Sequence, residues 1–409
     1  MQKKYLTTLL LSASVLCTSI ASAEELHIRI DSDASADGTR LLIAPFGPLA
    51  KIMEADLQRS GRFALVDPSS VGGNLSPEAL KASGAEYAVV GSQSSSLDFQ
   101  LINVNTGQAV GSFRIPAHPN QRRMAHKAAD MVFEKLIGVR GAFDTRIAYV
   151  AASGPARAQT YQLIVSDSDG FNPRTIVSSN KPVMSPSWSP DGNRIAYVSY
   201  ETNRPMIYVQ DLASGGKRAL SDPNKSSISP SWSPDGRSIA FSVADRGNYN
   251  IYTMDANGGG ARQLTNTRGI NVEPQWADNG TLVFTSDRGG QPQLYQMSAS
   301  GGGENRMSFS GGYNAGASIA GNSVAMVRQS GGRSNITLMN AASKEERVVS
   351  RGSQDDSPAI APNGTMVLYA TDASGRGSLA VASDNGKAHQ ILYSQAGDVR
   401  DPAWSPYLD

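Results

Sequence analysis

The chain has 409 residues, 37 basic against 36 acidic side chains, and a single cysteine. So even a charge balance gives no electrostatic grip on nucleic acid or anionic lipid. The length allows more than one domain, and composition shifts near residue 140 from helix-forming runs to Gly, Ser and short alternating stretches.

Lys3 and Lys4, an apolar stretch from Tyr5 to Ile20 and the small residues Ala21-Ser22-Ala23 form the pattern of a secretory signal. Residues 1–23 are therefore expected to be removed, leaving a mature chain that starts at Glu24. The apolar run is shorter than the roughly 20 residues that span a bilayer, so a chain that is not inserted in the membrane is expected. Cys17 lies inside the signal and follows Leu16, where a lipidation site wants a small residue. Its removal leaves no thiol, which excludes disulfides, zinc–thiolate sites and a cysteine nucleophile. Without Lys3 and Lys4 the count is 35 basic against 36 acidic residues, a net charge near −1.

From Glu24 to about Gly141 the pattern predicts an α/β domain. ELHIRI (25–30) and RLLIAPF (40–46) read as strands, and LAKIMEADLQRSG (49–61) reads as an amphipathic helix closed by glycine. FALV (63–66) is a strand, PEALKASG (77–84) a short helix and AEYAVVGS (85–92) a strand. LDFQLINV and QAVGSFRI form a hairpin turning at Asn105-Thr106-Gly107, and residues 121–138 close the domain as a helix. ELHIRI alternates apolar and polar residues, which suits an edge strand of this domain. Alternation alone favours that edge strand slightly; the polar stretch Asp31 to Gly38 that follows would let 24–38 detach as a mobile segment, the reading that the family resemblance given below implies.

Beyond residue 142 one octapeptide recurs. SPSWSPDG at 185–192 returns at 229–236, and EPQWADNG at 273–280 keeps the frame, which sets Trp188, Trp232 and Trp276 44 residues apart. SPAIAPNG at 357–364 carries Ile360 in the tryptophan place, AGASIAGN at 315–322 is a degenerate copy, and DPAWSP supplies Trp404. A period of roughly 40–45 residues filled with short strands is the signature of propeller blades. The strands at 145–152, 161–167 and 173–178 lack a preceding tryptophan strand, and DPAWSP at the C-terminal end supplies it. The fold expected is thus α+β with two domains: 24–141, then a six-bladed β-propeller over 142–409 whose last blade is closed by both ends of the domain. The repeated tryptophans are expected to pack between blades. The Asp-Gly and Asn-Gly pairs at 191, 235, 279 and 363 predict tight hairpins with two positive-φ residues.

No serine elbow, phosphate loop, His-Glu-x-x-His helix or dinucleotide fingerprint occurs in the sequence. The Ser214 to Lys217 spacing matches a Ser-x-x-Lys pair by chance in a strand connection, and His27, His118, His126 and His389 show no ligand spacing. No catalytic residue, cofactor or histidine metal site is expected. Glu273, Asp355, Asp356 and Asp401 gather before blade strands, in connections that surround a channel mouth. Such a ring can hold a cation such as calcium, although carboxylates solvated around a channel are the favoured reading.

The signal, the α/β domain and the x-Pro-x-Trp-Ser-Pro-Asp-Gly blades together resemble the TolB family of the Tol-Pal cell-envelope system over the whole chain. IRIDS, the junction ADMVFEKLIGVRGAFDTRIAYV and DPAWSPYL add to the likeness. The resemblance implies a periplasmic, monomeric adaptor that binds the lipoprotein Pal through the propeller and TolA through the N-terminal segment. It would support outer-membrane integrity and invagination at cell division, with other envelope proteins as further partners. The implied Pal-binding residues are Ser226, Ser229, Val272 and Glu273; reversing the charge of Glu273 is expected to weaken Pal without unfolding the chain. The implied TolA-binding residues are Glu25, Leu26, His27, Ile28, Arg29, Ile30 and Asp31. An exported propeller hydrolase or lyase, or a glycan or small-ligand sensor, is the alternative. Propeller hydrolases need a separate serine-elbow domain, whereas this chain ends three residues after Pro406.

Overall fold

A computed structural model describes residues 26–30, 38–373, 375–394 and 397–408. The signal sequence, Glu25 and Asp31 to Asp37 lie outside the described residues.

The first unit is a mixed five-stranded sheet with strands in the order Phe63–Val66, Thr39–Ile43, Tyr87–Gln93, Leu97–Asn103 and Gln108–Ile115. Thr39–Ile43 runs parallel to both its neighbours, and the last three strands are antiparallel. Helix α1 (Pro48–Arg59) makes the crossover between the first two strands and starts with proline, whose missing N–H would be unpaired there anyway. Helix α2 (Pro77–Ala82) is capped by Ser76, whose Oγ accepts from Ala79 N at 3.3 Å. Helix α3 (Gln121–Ile137) is capped by Asn120 and ends at Gly138 with φ 86°, as the composition predicts. A short 3-10 turn at Pro68–Val71 has no counterpart in the sequence reading.

Six four-stranded blades follow. Five are contiguous: 183–219, 226–263, 271–306, 313–348 and 356–393. The closing blade orders Asp398–Trp404, Arg146–Ser153, Thr160–Asp167 and Arg174–Ser179, so its innermost strand comes from the C-terminal end. The ring is latched as the repeat count requires. Trp188 donates from Nε1 to Ala403 O (3.2 Å) and Trp276 to Ser231 O (3.1 Å), each reaching the inner strand of the preceding blade. The tryptophans are thus inter-blade wedges.

Two expectations change. The Asp-Gly pairs are not two-residue hairpins: only the glycines Gly192, Gly236 and Gly364 take positive φ. Asp235 instead accepts Ser233 Oγ and Arg237 N on Oδ1, at 2.6 and 3.0 Å, so the side chain builds a longer loop. The strand His27–Ile30 does not join the α/β sheet. It pairs antiparallel with His389–Tyr393, adding a fifth strand to the outer edge of the last contiguous blade. Just ahead of the strand, Leu26 is 2% exposed, packs into the core shared by both units and sits against Gly170 of the closing blade.

One apolar core runs through both units, joining Met53, Leu57 and Phe133 to Phe143, Met366 and Trp404. At the junction the Asp130 carboxylate accepts the backbone N–H groups of Phe143 (2.7 Å) and Asp144 (3.1 Å). This approach explains Gly141, where a Cβ would come within 2.5 Å of the Asp130 backbone. Burial pushes the Asp130 carboxyl up to about 7, the two N–H donors only partly offsetting it. The protonated acid is therefore favoured in the folded state. Its stabilisation is complete below pH ~4 and is lost as pH rises through about 7, an effect on the order of 4 kcal/mol at most. Asp130→Asn should flatten the decline of stability between pH 4 and 7.5, measured by urea unfolding; an unchanged slope would assign the decline to another group.

Candidate functional site

Every inner strand carries a bulge at the same place, and the residue there is left-handed. The φ values are 51° at Ser185, 52° at Ser229, 56° at Glu273, 63° at Gly316, 51° at Ser357 and 49° at Asp401. For a residue with a Cβ this region costs about 1 kcal/mol or more. Five of the six accept that cost, and each of the five is followed by proline. The six stand around one mouth of the axial channel and line a cavity of about 130 Å³. Sequence reasoning found Ser229, Glu273 and Asp401 of this ring but missed Ser185, Gly316 and Ser357. The signal was present as the residue just ahead of the Pro-x-Trp or equivalent tripeptide.

The carboxylates here already hold neighbouring blades together. Glu273 Oε2 accepts from Thr285 Oγ1 at 2.9 Å and from Gly316 N, one blade further on, at 2.9 Å. Asp401 Oδ2 accepts from Ser185 N at 3.3 Å across the ring closure. Burial raises both carboxyls above the ordinary range; the charge of Asp356 adds to this, and the hydrogen bonds counter it. Asp356 itself is exposed and accepts from Ser357 N at 2.7 Å. Asp355 belongs elsewhere: it is fully buried and takes the Thr371 hydroxyl at 2.6 Å. Of the four acidic residues expected at the mouth, two line it and one stands beside it.

Ser226 and Val272 lie upstream on the same inner strands, paired with Ala244 and Thr285, and do not line this cavity. Ser226, Ser229, Val272 and Glu273 nonetheless occupy two neighbouring blades on one face. The mouth offers fixed carboxylates and serine hydroxyls but no lysine or histidine among its lining residues to activate a nucleophile. That chemistry suits recognition of donor groups on a partner.

The opposite part of the channel is a cavity of about 300 Å³ lined by Trp188, Trp232, Trp276 and Trp404 with serines and prolines. The N-terminal segment lies far out on the last blade. Its backbone pairs His27 with Tyr393, Ile28 with Leu392, Arg29 with Ile391 and Ile30 with Gln390. The expected TolA-binding residues Glu25 and Asp31 fall outside the described residues. Among the described residues no helix is long and apolar enough to cross a membrane.

Residues 133–408 match the family model described as the TolB beta propeller domain. The chain is 47% identical over 397 residues to the Tol-Pal system protein TolB of Thioalkalivibrio sulfidiphilus, covering 90% of this chain and 91% of that protein. It is 43% identical over 382 residues to the protein of the same name from Xanthomonas oryzae pv. oryzae (strain MAFF 311018), covering 89% and 87%. The crystal structure of TolB from Acinetobacter baumannii superimposes with a TM-score of 0.86 at 34% identity, over 93% of this chain and 100% of that one. Near-full coverage in sequence and in structure extends the likeness beyond the blade repeat to the α/β unit, and the chain belongs to the TolB family.

Proposed function

We propose that this protein is a periplasmic, non-catalytic adaptor of the Tol-Pal system that binds Pal at the propeller mouth and TolA through its N-terminal segment. In this role it couples the envelope layers that maintain the outer membrane and draw it inward at division. The observation that carries the reading is the six-fold ring of left-handed bulges, five of them non-glycine, around Glu273 and Asp401. Strained backbone held at one place in five of the six blades is a pre-organised surface, and strain of this kind collects at binding sites. Support for the system, as opposed to the mode of binding, comes from the names of relatives that match over 87–91% of their length.

Glu273 needs a subtler test than charge reversal. Its bonds to Thr285 and Gly316 tie two blades, so Glu273→Lys acts on the fold as well as on a partner. The lysine variant should lose about 2–4 kcal/mol of stability, since it removes an acceptor and buries a new charge. Glu273→Gln keeps an acceptor oxygen and should stay within about 1 kcal/mol of wild type. Calorimetry with the soluble domain of Pal should show binding weakened at least about tenfold by Glu273→Gln, the loss of a charged contact without the loss of the fold. Wild-type affinity in a stably folded Glu273→Gln would remove this face from the interface.

A further inference from the structure

The propeller repeat places the same set of positions in each gap between neighbouring blades. Two residues ahead of the left-handed bulge stand Ser227, Asn271 and Asn314, whose ladder partners are Val243, Ser286 and Arg328. Two residues before those partners, Phe241 pairs with Tyr252 and Phe284 with Tyr295. Phe241, Val243 and Met254 face Ile207 and Val209 of the preceding blade, which fixes the side of the sheet concerned.

In two successive gaps this place holds a guanidinium. In the blade 271–306, Arg288 donates from Nη2 to Asn271 Oδ1 at 2.8 Å and from Nε to Ser286 Oγ at 2.9 Å. Its Cζ lies 5.2 Å from the centre of the Phe284 ring and 5.0 Å from that of Tyr295. In the blade 313–348, Arg328 donates from Nε to Asn314 Oδ1 at 3.1 Å and pairs with Glu346 at 2.8 Å. Both arginines end on the asparagine two residues ahead of the bulge.

The blade 226–263 keeps the two rings and lacks the arginine. Val243 stands where Arg328 would, and Asp245, in the place of Arg288, is exposed. What remains is a cavity of about 430 Å³ between Leu220, Lys225, Ser227, Phe241, Tyr252 and Met254, a volume typical of a ligand site. Ser227 is 1% exposed, and its Oγ is buried with no hydrogen-bond partner. A buried hydroxyl left unbonded in the position of two arginine acceptors calls for a donor. Lys225, an exposed loop residue, brings its ammonium 5.5 Å over Tyr252, and Ser227 is still unpaired. Asp222 on the same rim offsets that charge, so the rings and the hydroxyl select the guest.

We propose that this gap is a socket for an arginine side chain carried by a protein that docks on the mouth face. The proposal rests on the adaptor reading given above. A guanidinium is planar, stacks on aromatic faces and donates from its edge, so it covers Phe241 and Tyr252 while bonding Ser227 Oγ. The ammonium of a lysine, a compact and strongly hydrated charge, does this poorly. The inner strand Ser226–Trp232 carries Ser227 at the socket and Ser229 at the mouth, two residues apart or roughly 7 Å. A partner seated on the mouth is therefore next to the socket.

The probe is N-acetyl-arginine N-methylamide, titrated into the full mature chain with the matching lysine compound as control, reading the amide NMR shifts of Ser227 and Tyr252. Saturable shifts with the arginine compound alone are expected. Ser227→Asn supplies the acceptor of the sister gaps and should lower the half-saturating concentration about tenfold, whereas Tyr252→Leu removes a ring face and should raise it about threefold or more. Val243→Arg fills the socket from within, on a strand that turns through a two-residue link as the strand of Arg328 does. It should raise the melting temperature, abolish the shifts and weaken the soluble domain of Pal at least about tenfold. No shift with the arginine compound, or equal shifts with the lysine compound, would overturn the socket. So would wild-type Pal affinity in a folded Val243→Arg when Glu273→Gln weakens Pal, a result that leaves the adaptor reading standing. If neither variant weakens Pal, the reading of the mouth fails, and the proposal that rests on it fails too.

Discussion

A chain lacking residues 398–409 is expected not to fold as a cooperative ring. The deletion strips the closing blade of its inner strand, which pairs with Arg146–Ser153 from Asp398↔Ala152 to Trp404↔Ile147. It also removes Val399 and Trp404, 1% and 8% exposed, from the core shared by both units. Trp404 donates from Nε1 to Thr145 Oγ1 at 2.8 Å, Ser405 N to Arg146 O at 2.9 Å, and Arg146 N to Ser405 Oγ at 2.9 Å, which fasten the C-terminal strand to the start of the propeller. Arg140 over Tyr407 and Arg123 to Leu408 O at 3.3 Å extend the latch to the α/β unit. Trp404→Ala alone should cost about 3–5 kcal/mol, a large part of the stability of an ordinary domain. The full deletion adds an exposed edge to that loss, and loss of sharp thermal unfolding or aggregation is the expected readout. A truncated chain that melts at the wild-type temperature with wild-type steepness would mean that the ring is closed by something other than this strand.

The blades were legible because a propeller writes itself into sequence by repetition. Trp188, Trp232, Trp276 and Trp404 each answer the same need, filling the gap to the preceding blade, so one spacing reveals them all. The helices α1 and α3 were legible from apolar period and glycine stops. The mouth was half legible: acidic residues before the repeat drew notice, whereas Ser185 and Ser357 share the left-handed backbone of Glu273 without sharing its charge, and backbone conformation has no letter of its own. Asp355 and Asp356 are adjacent in sequence, yet Asp355, just ahead of the strand Asp356–Ile360, is buried on the Thr371 hydroxyl while Asp356, the first strand residue, is exposed. The interdomain cluster of Asp56, His126 and Asp169 was not legible at all. His126 lies 70 residues from Asp56 in sequence, and Asp169 belongs to another unit. No local spacing links them, and only the docking of α1 and α3 on the closing blade brings them together. The placement of His27–Ile30 escaped for a related reason: alternation states that a strand wants an edge, not whose edge.

Removal of residues 24–35 from the mature chain is expected to abolish TolA binding while Pal binding survives. His27–Ile30 is held to the last blade by backbone pairing with only four residues and by Leu26 against Gly170. A four-residue edge strand adds one ladder to a blade whose other four strands pair without it, and an element held at an edge by few backbone bonds opens at low cost. The same four residues, once released, present the unpaired backbone and alternating side chains that strand addition to a partner needs. Docking and TolA binding would then compete for one segment. If Pal at the mouth changes the docking equilibrium, it must change TolA affinity, and TolA must change Pal affinity by the same factor, typically 5–150-fold or about 1–3 kcal/mol. The mouth and the docked strand share the last blade: Ser357 and Pro358 on its inner strand line the cavity, and His389–Tyr393 on its outer strand carries the segment. Calorimetry of the truncated and full-length mature chains with each partner separates the claims. Intact TolA binding by the truncated chain would rule out the segment as its site. Identical Pal affinity in both chains would leave TolA recognition standing and reject the coupling, because a segment whose docking is linked to the mouth cannot be deleted without moving the affinity there.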